Sequence, residues 1–256
     1  EPAAAENADY QVDSTRWNGL TRFVEVGRAL GVRLKPVDEL DFDELTSKET
    51  LVVIYPRQEL EVEQLAEFVV DGGRILLADD YGRSASFLER LDIRRRTGLE
   101  AGLPHDRFLR DRRDLPILEP TGVHPLLEGV RTVVANHPAV LEHRGGPVVP
   151  FSGGGGLVYD MNLGRGKVIV FGDASLLINQ MMQVADNRRL VQNALGYLCE
   201  SVAECRPRLL VGTFEQAGSF GGSDESGHPL NWFGERFNEV VDRVQGSLGG
   251  KLPVHV

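Results

Sequence analysis

The sequence of 256 residues has little cysteine and no long hydrophobic run, and both absences limit what the protein can be. No apolar run approaches the ~18 residues that a membrane-spanning helix requires, so we do not expect this segment itself to cross a membrane. The two cysteines, Cys199 and Cys205, lack the C-x-x-C or H-x-x-x-H spacing of a zinc site. Their closeness in sequence allows a disulfide in an oxidising compartment, or two buried thiols, and the spacing leaves both open.

Positive charge is also scarce. The chain has 38 acidic and 28 basic residues, which gives a formal net charge of -10. Such a balance repels a nucleic-acid backbone rather than attracting it, so we expect no nucleic-acid partner. One arginine-dense region, at 90–113, is interspersed with acidic side chains. We interpret it as a solvated, salt-bridged surface.

Local motifs of hydrolytic and cofactor-binding sites are missing as well. Neither Ser152 nor Ser175 lies in the G-x-S-x-G frame of a nucleophile elbow. The glycine run at 153–156 has no lysine or threonine to complete a phosphate loop. The six histidines are scattered through predicted loops without metal-ligand spacing. The motifs therefore predict no catalytic residue, no bound metal and no cofactor.

What the sequence has instead is an alternation of buried strands and amphipathic helices. Apolar runs at 51–55, 74–78 and 168–171 have the β-branched and aromatic composition of strands that are covered on both faces. A first helix is predicted from Asp13, and further helices lie between the strands. Residues 157–161 and the run at 168–171 predict a hairpin. We predict a three-layer α/β sandwich with a mostly parallel sheet, antiparallel edge strands, and the three apolar strands at its centre.

The chain is predicted to hold one domain. Residues 1–12 have the composition of a disordered linker and begin with Glu rather than Met, so we expect a preceding segment to have been removed. The domain is predicted at 13–245, ending with an amphipathic helix at 231–244, and 246–256 form a tail. Within it, prolines and glycines punctuate residues 94–156, which predicts an irregular insertion with edge strands.

Acidic side chains follow three of the predicted strands, at Asp79 and Asp80, at Asp173 and at Glu215. The carboxyl ends of parallel strands share one edge of a sheet, where ligands bind, so we expect these carboxylates to converge. Such a cluster could hold a divalent cation, share a proton or bind a cationic group. The same residue types are also common turn and cap residues. The candidate ligand-binding residues are Asp13, Ser14, Asp79, Asp80, Asp173, Ser175, Asn179 and Glu215.

Several of these segments resemble the bacterial domain-of-unknown-function family 4350. They read DSTRWNGLTRFVEVGRALGVRL, LVVIYP, VVDGGRILLADDYG, GKVIVFGDASLLIN with DNRRLVQNALGYL, and LLVGTFEQAG. That family is similar to class I glutamine amidotransferase-like domains of the flavodoxin type, and to domains of gliding-motility transporter auxiliary proteins and intraflagellar transport proteins. The resemblance implies a flavodoxin-like, amidotransferase-like fold. It also implies a periplasmic domain held by membrane anchors outside this segment, often encoded near transporters or MoxR-type ATPases.

The resemblance does not extend to amidotransferase chemistry. The amidotransferase nucleophile is a cysteine on the turn after the third strand, and here that turn, at 78–82, reads ADDYG. The sequence FGDAS stands where the catalytic histidine is expected. We therefore expect a non-catalytic binding or interaction module of the bacterial cell envelope, a pseudoenzyme associated with a transporter or ATPase system, that engages a protein partner or a small ligand. The alternative is a hydrolase in which Asp80, Asp173 and Glu215 position a metal or an activated water.

Overall fold

The computed structural model describes residues 9–97, 103–199 and 205–221. The chain divides into two units, at 1–220 and 221–256, and the described helices and strands all belong to the first unit. The helix predicted at 231–244 and the tail predicted at 246–256 lie outside the described residues, as does most of the predicted linker.

The described part of the chain forms short and long strands separated by four α-helices. The strands are β1 (Lys35–Pro36), β2 (Glu39–Asp41), β3 (Thr50–Ile54), β4 (Arg74–Ala78), β5 (Arg94–Arg96), β6 (Ile117–Leu118), β7 (Val133–Val134), β8 (Val140–Glu142), β9 (Val149–Pro150), β10 (Gly156–Leu163), β11 (Gly166–Phe171), β12 (Arg208–Val211) and β13 (Glu215–Ala217). The helices are α1 (Thr21–Leu30), α2 (Val62–Val70), α3 (Ala85–Arg90) and α4 (Asn187–Leu198).

One nine-stranded sheet organises the fold. Its strand order is β1-β12-β3-β4-β11-β10-β8-β5, with β9 also paired to β10. The pairs from β1 to β11 are parallel, and the pairs beyond β11 are antiparallel. The three apolar runs are β3, β4 and β11, and each is paired on both sides, so their prediction as central strands is confirmed. The hairpin of β10 and β11 is confirmed too.

Alternate residues of the strands enter two separate cores, because successive side chains of a strand point to opposite faces. On β4, Leu76 and Ala78 join the core that α1 and α4 cover. Ile75 and Leu77 of the same strand join the core under α2 and α3. Helices on both faces of a mostly parallel sheet make the predicted three layers, and the fold class is therefore confirmed.

The first helix begins later than predicted. The sequence predicts a helix from Asp13, whereas α1 starts at Thr21 and the preceding residues form turns. The reason lies far away in the sequence. The side-chain oxygen of Asn179 accepts hydrogen bonds from the Arg22 N–H (2.8 Å) and the Thr21 hydroxyl (3.1 Å), so it caps the helix at this point. The Asn179 amide also donates to the backbone carbonyl of Ser14 (2.8 Å), which fixes the turns before the helix.

The irregular region predicted at 94–156 contributes the antiparallel strands β5, β8 and β9 to the main sheet, and the separate pair of β6 and β7. At the other end of the fold, Cys199 and Cys205 form a disulfide that joins the end of α4 to the segment before β12. Of the two open alternatives for these cysteines, the structure has the bridged one. No helix in the ranges that the structure describes has the length and apolar character needed to cross a membrane.

Candidate functional site

The corner that follows β4 places two adjacent carboxylates in opposite environments. Asp79 continues the alternation of Ile75 and Leu77 towards α2 and α3, and Asp80 continues that of Leu76 and Ala78 towards α1 and α4. Both side chains are buried. Their surroundings therefore have to be compared separately.

Asp79 is fully engaged in structural contacts. Its carboxylate accepts hydrogen bonds from the Gly82 N–H (2.6 Å), the Ser84 N–H (3.2 Å) and the Ser84 hydroxyl. It also forms an ion pair with Arg95, whose guanidinium donates in addition to the Gly82 carbonyl (2.7 Å). Gly82 has to be glycine here, because a Cβ on it would lie 2.5 Å from an Asp79 oxygen. Asp79 was a predicted ligand-binding residue, but these contacts make it a structural carboxylate.

Arg95 departs from the solvated surface predicted for the arginine-dense region. Its side chain is 11% exposed, because it belongs to the edge strand β5 and turns inward to Asp79. Two other arginines of this region, Arg107 and Arg112, form ion pairs whose arginine side chains are more than half exposed, as predicted. The prediction is therefore wrong for Arg95, whose charge is neutralised by a buried partner rather than by water.

Asp173 follows β11 and caps the turn at 174–177. Its carboxylate accepts hydrogen bonds from the Ser175 N–H (2.8 Å), the Ser175 hydroxyl (2.5 Å) and the Asn136 N–H (2.7 Å). The side chain has no solvent exposure. Burial raises the pKa of Asp173 to about 6, although these hydrogen bonds favour the ionised form and oppose the increase.

Asp80 lies beside Asp173, and the sheet register explains why. Ala78 of β4 pairs with Phe171 of β11, and each aspartate stands two residues beyond this pair on its own strand. The Asp79 N–H extends the pairing by donating to the Phe171 carbonyl (3.0 Å). The structure thus brings together the two carboxylates that the sequence predicts to converge.

The carboxylate of Asp80 has fewer stabilising contacts than those of Asp79 and Asp173. It is 5% exposed, and its carboxylate accepts hydrogen bonds from the backbone N–H groups of Tyr81 (2.9 Å) and of Asp80 itself. Burial and, next in size, the charge of Asp173 raise the pKa of Asp80 to about 7. Near neutral pH the two carboxyls therefore carry fewer than two negative charges between them, as expected for like charges held close together.

Two tyrosines that the sequence analysis missed belong to the same edge. The rings of Tyr10 and Tyr55 stack with centroids 5.4 Å apart. Burial raises the pKa of both phenols, and the charge of Asp80 raises both further. Tyr55 could have been found, since it directly follows the apolar run of β3. Tyr10 could not, because it lies in the segment predicted as a linker.

The remaining predicted residues do not join the carboxylate pair. Asn179 caps α1 and donates to the backbone carbonyl of Ser14, so these contacts hold both residues at the start of that helix. Asp13 is exposed. Glu215 is exposed on β13, where it pairs with Glu39 of β2, because the chain turns away from the main sheet after β12.

The predicted arrangement of Asp80, Asp173 and Glu215 is therefore not formed. Strand β12 lies two positions from β4 in the sheet, a separation of about 10 Å at the usual strand spacing. Across 9–97, 103–199 and 205–221 there is no group of three or more His, Cys, Asp or Glu side chains placed to hold a metal ion. What remains is a pair of carboxyls beside two phenol rings. Chemically, such a pair can share a proton or receive a cationic group, which the ring faces also attract.

Comparison with solved structures supports the fold alone. The chain is similar to the mmIFT52 N-terminal domain, with 17% identity, 62% of this chain and 82% of that chain covered, and a TM-score of 0.50. It is also similar to a β-galactosidase from Bacillus circulans sp. alkalophilus, with 11% identity, 59% and 22% coverage and a TM-score of 0.42. An exo-β-1,4-mannosidase from Opitutaceae bacterium strain TAV5 matches with 15% identity, 75% and 34% coverage and a TM-score of 0.41. The chain thus spans about a fifth to a third of these glycosidases.

No functionally curated protein matches the sequence. The sequence profile of one family, described as a domain of unknown function (DUF4350), does match it, over residues 12–195. That range contains most of the described fold, including β4, β11 and both carboxyls of the pair. The similarity to amidotransferase-like domains that the sequence resemblance implies stays a prediction. The match over residues 12–195 covers well over half of the sequence, and the chain belongs to the DUF4350 family.

Proposed function

We propose that this domain is a binding module of the bacterial cell envelope, in which Asp80 and Asp173 form a non-catalytic site that holds a cationic group of a small ligand or protein partner. The observation that carries the proposal is the difference between Asp79 and Asp80. The first is neutralised by Arg95, whereas the second is held next to another carboxyl and is contacted by backbone N–H groups, with no cation among the described contacts. A cationic group of a ligand would be the counter-charge of Asp80, as Arg95 is the counter-charge of Asp79.

The energetics of the pair favour binding of a cation. Holding an ionised carboxylate in a buried site next to a second one is unfavourable, which is why the pKa of Asp80 is raised. An ammonium or guanidinium group in contact with the pair would lower that pKa again and release a proton. The stacked rings of Tyr10 and Tyr55 offer apolar surface and a cation–π attraction to the same group.

A disulfide and the family resemblance support placement in the cell envelope, and the resemblance also supports association with a transporter or ATPase system. The disulfide of Cys199 and Cys205 is of a kind that persists in oxidising compartments. The family resemblance implies a domain held outside the cytoplasmic membrane near such systems. The proposal includes no reaction at this edge of the sheet, because the nearby Ser175 hydroxyl already donates a hydrogen bond to Asp173.

Calorimetric titration with agmatine, which carries both an ammonium and a guanidinium group, tests the proposal. We expect saturable binding at pH 7 with release of up to about half a proton per site, because Asp80 is near its pKa there. Repeating the titration in buffers of different ionisation enthalpy measures the proton release. The Asp80→Asn and Asp173→Asn variants should bind at least tenfold more weakly.

Glu215→Gln is the matched control, because it removes an exposed carboxylate away from the pair. Equal weakening in this variant, or binding without proton release, would show non-specific attraction to an acidic protein and refute the proposal. Metal-dependent hydrolysis that disappears in Asp80→Asn would instead favour the hydrolase alternative.

A further inference from the structure

A serine and a histidine far apart in the sequence meet beside the glycine run. Ser152 lies on the turn between β9 and β10, and its hydroxyl oxygen is 3.2 Å from the Nδ1 of His105. Ser152 is exposed and His105 is half-buried. Neither residue belongs to a local motif of a catalytic site. The two residues are 47 positions apart in the sequence, so only the fold reveals their contact.

The surroundings of His105 fix the role of each ring nitrogen. Its Nε2 lies 2.7 Å from the backbone carbonyl oxygen of Ile117. A carbonyl only accepts hydrogen bonds, so Nε2 carries the proton and Nδ1 faces Ser152 as an unprotonated acceptor. Edge-to-face contacts with Phe108 and Phe151, both at 5.9 Å between ring centroids, hold the imidazole in this orientation. A base held by a carbonyl and pointed at a hydroxyl is the arrangement that activates a serine.

Asp106 is the third polar residue of this cluster. In the structure the Ser152 hydroxyl donates to a carboxylate oxygen of Asp106 (3.1 Å), and the Ser152 N–H donates to Nδ1 of His105 (3.3 Å). The hydroxyl therefore has to turn from Asp106 to Nδ1 of His105, 3.2 Å from its oxygen, before the imidazole can take its proton. The backbone N–H keeps Nδ1 and the serine together on the same turn.

The glycines after Ser152 leave the hydroxyl accessible. A Cβ built on Gly154 would meet no atom of the described residues within 4 Å. Gly154 and Gly155 both have positive φ, at 109° and 69°, a conformation that larger residues rarely adopt. Since Ser152 is exposed on this turn, a small substrate in solution can reach its hydroxyl.

We propose that Ser152 is a nucleophile activated by His105 and that it reacts with small, activated carboxylic esters. The Ser152 oxygen forms a bond to the acyl carbon while its proton passes to Nδ1 of His105. The bond from the acyl carbon to the leaving alcohol breaks, and the departing oxygen takes the proton from Nδ1. Water then attacks the acyl carbon of the acyl-serine ester and gives a proton to Nδ1. The bond from the acyl carbon to the serine oxygen breaks, the carboxylic acid leaves, and the serine oxygen recovers the proton from Nδ1. This activity is separate from cation binding at the Asp80–Asp173 pair.

Labelling of the whole protein with a fluorophosphonate probe tests the assignment, with the modified serine located by peptide mass spectrometry. Ser86 is the internal reference, since it is an exposed serine whose hydroxyl bonds a carboxylate, that of Glu59, without a histidine. General-base activation contributes about 10²- to 10⁴-fold. We expect Ser152 to be labelled at least 100-fold faster than Ser86.

Three variants separate activation from exposure. Ser152→Ala should abolish the fast labelling and the release of p-nitrophenol from p-nitrophenyl acetate. His105→Gln, which retains a hydrogen-bonding side chain, should slow both at least tenfold, and Ser86→Ala should change neither. Equal labelling of Ser152 and Ser86, or unchanged labelling in a folded His105→Gln protein, would overturn the proposal and leave Ser152 as a turn residue. Circular dichroism of each variant establishes that it is folded.

Discussion

The two sides of the corner after β4 treat a buried carboxylate in opposite ways. On the side of α2 and α3, Asp79 receives a guanidinium, two backbone N–H groups and a hydroxyl. On the side of α1 and α4, Asp80 receives the backbone N–H groups of Tyr81 and of itself, and it faces a second carboxyl. Adjacent residues of one strand thus differ in whether the protein itself balances their charge. The protein neutralises the charge of Asp79 but leaves Asp80, the next residue, beside a second carboxyl, and this lowers stability. Such a cost in stability is typical of functional sites.

The largest expected effect comes from breaking the compensated side. Asp79→Ala should lower the free energy of unfolding by about 3 to 5 kcal/mol, because it leaves the buried Arg95 without its counter-charge. Urea denaturation followed by circular dichroism measures the loss. The Asp79→Ala/Arg95→Met double variant should be less destabilised than Asp79→Ala alone, since it removes the uncompensated charge as well. A double variant as unstable as the sum of its single changes would mean that packing, and not charge, dominates this side.

Removing the charge of Asp80 is expected to raise the stability of the protein rather than to lower it. The pKa of Asp80 is raised from 3.8 to about 7 on folding, so its penalty is absent below pH 3.8, grows with pH and is complete above about pH 7. Asp80→Asn should therefore stabilise the protein at pH 8, and its advantage over the wild type should shrink by roughly 2 to 3 kcal/mol at pH 5. Urea denaturation at the two pH values checks this. An advantage that does not change with pH would contradict the raised pKa.

The smallest expected effect compares two matched serines. Ser84→Ala removes one hydroxyl donor from Asp79, and about 1 kcal/mol of stability should be lost, because Arg95 remains in place. Ser175→Ala removes the corresponding donor from Asp173, where no cation is among the described contacts, and raises the pKa of that carboxyl further. Its cost should exceed that of Ser84→Ala at pH 8. Thermal unfolding of both variants at this pH makes the comparison, and a reversed order would count against the difference between the two sides.

The features that the sequence predicted correctly are local ones. Apolar runs identify β3, β4 and β11, and their order along the chain implies a parallel sheet. Once β4 and β11 are neighbours, the pairing of Ala78 with Phe171 places Asp80 and Asp173 side by side. That inference needs only the adjacency of two strands that the sequence already identifies, which is why two of the candidate residues were found together.

The features that the sequence missed depend on partners that are far apart along the chain. The start of α1 is set by Asn179, which is 157 residues from the backbone group that it caps. In the run of three arginines of β5, the turn of Arg95 towards Asp79 follows from the alternation of the strand, which needs its pairing to be known. The contact of His105 with Ser152 likewise exists only when the irregular region folds onto the sheet. Pattern and spacing carry no information about such contacts.

The ion pair of Arg95 and Asp79 also determines how the two halves of the sheet unfold. Strand β5 is the last of the antiparallel half, four strands away from β4 in the sheet order, and by position alone it would fray independently. Its arginine, however, is locked to the end of a central parallel strand. Opening β5 locally would leave the buried carboxylate of Asp79 without its counter-charge, so the ion pair opposes that opening. We therefore expect β5 to open less readily than its edge position alone would allow.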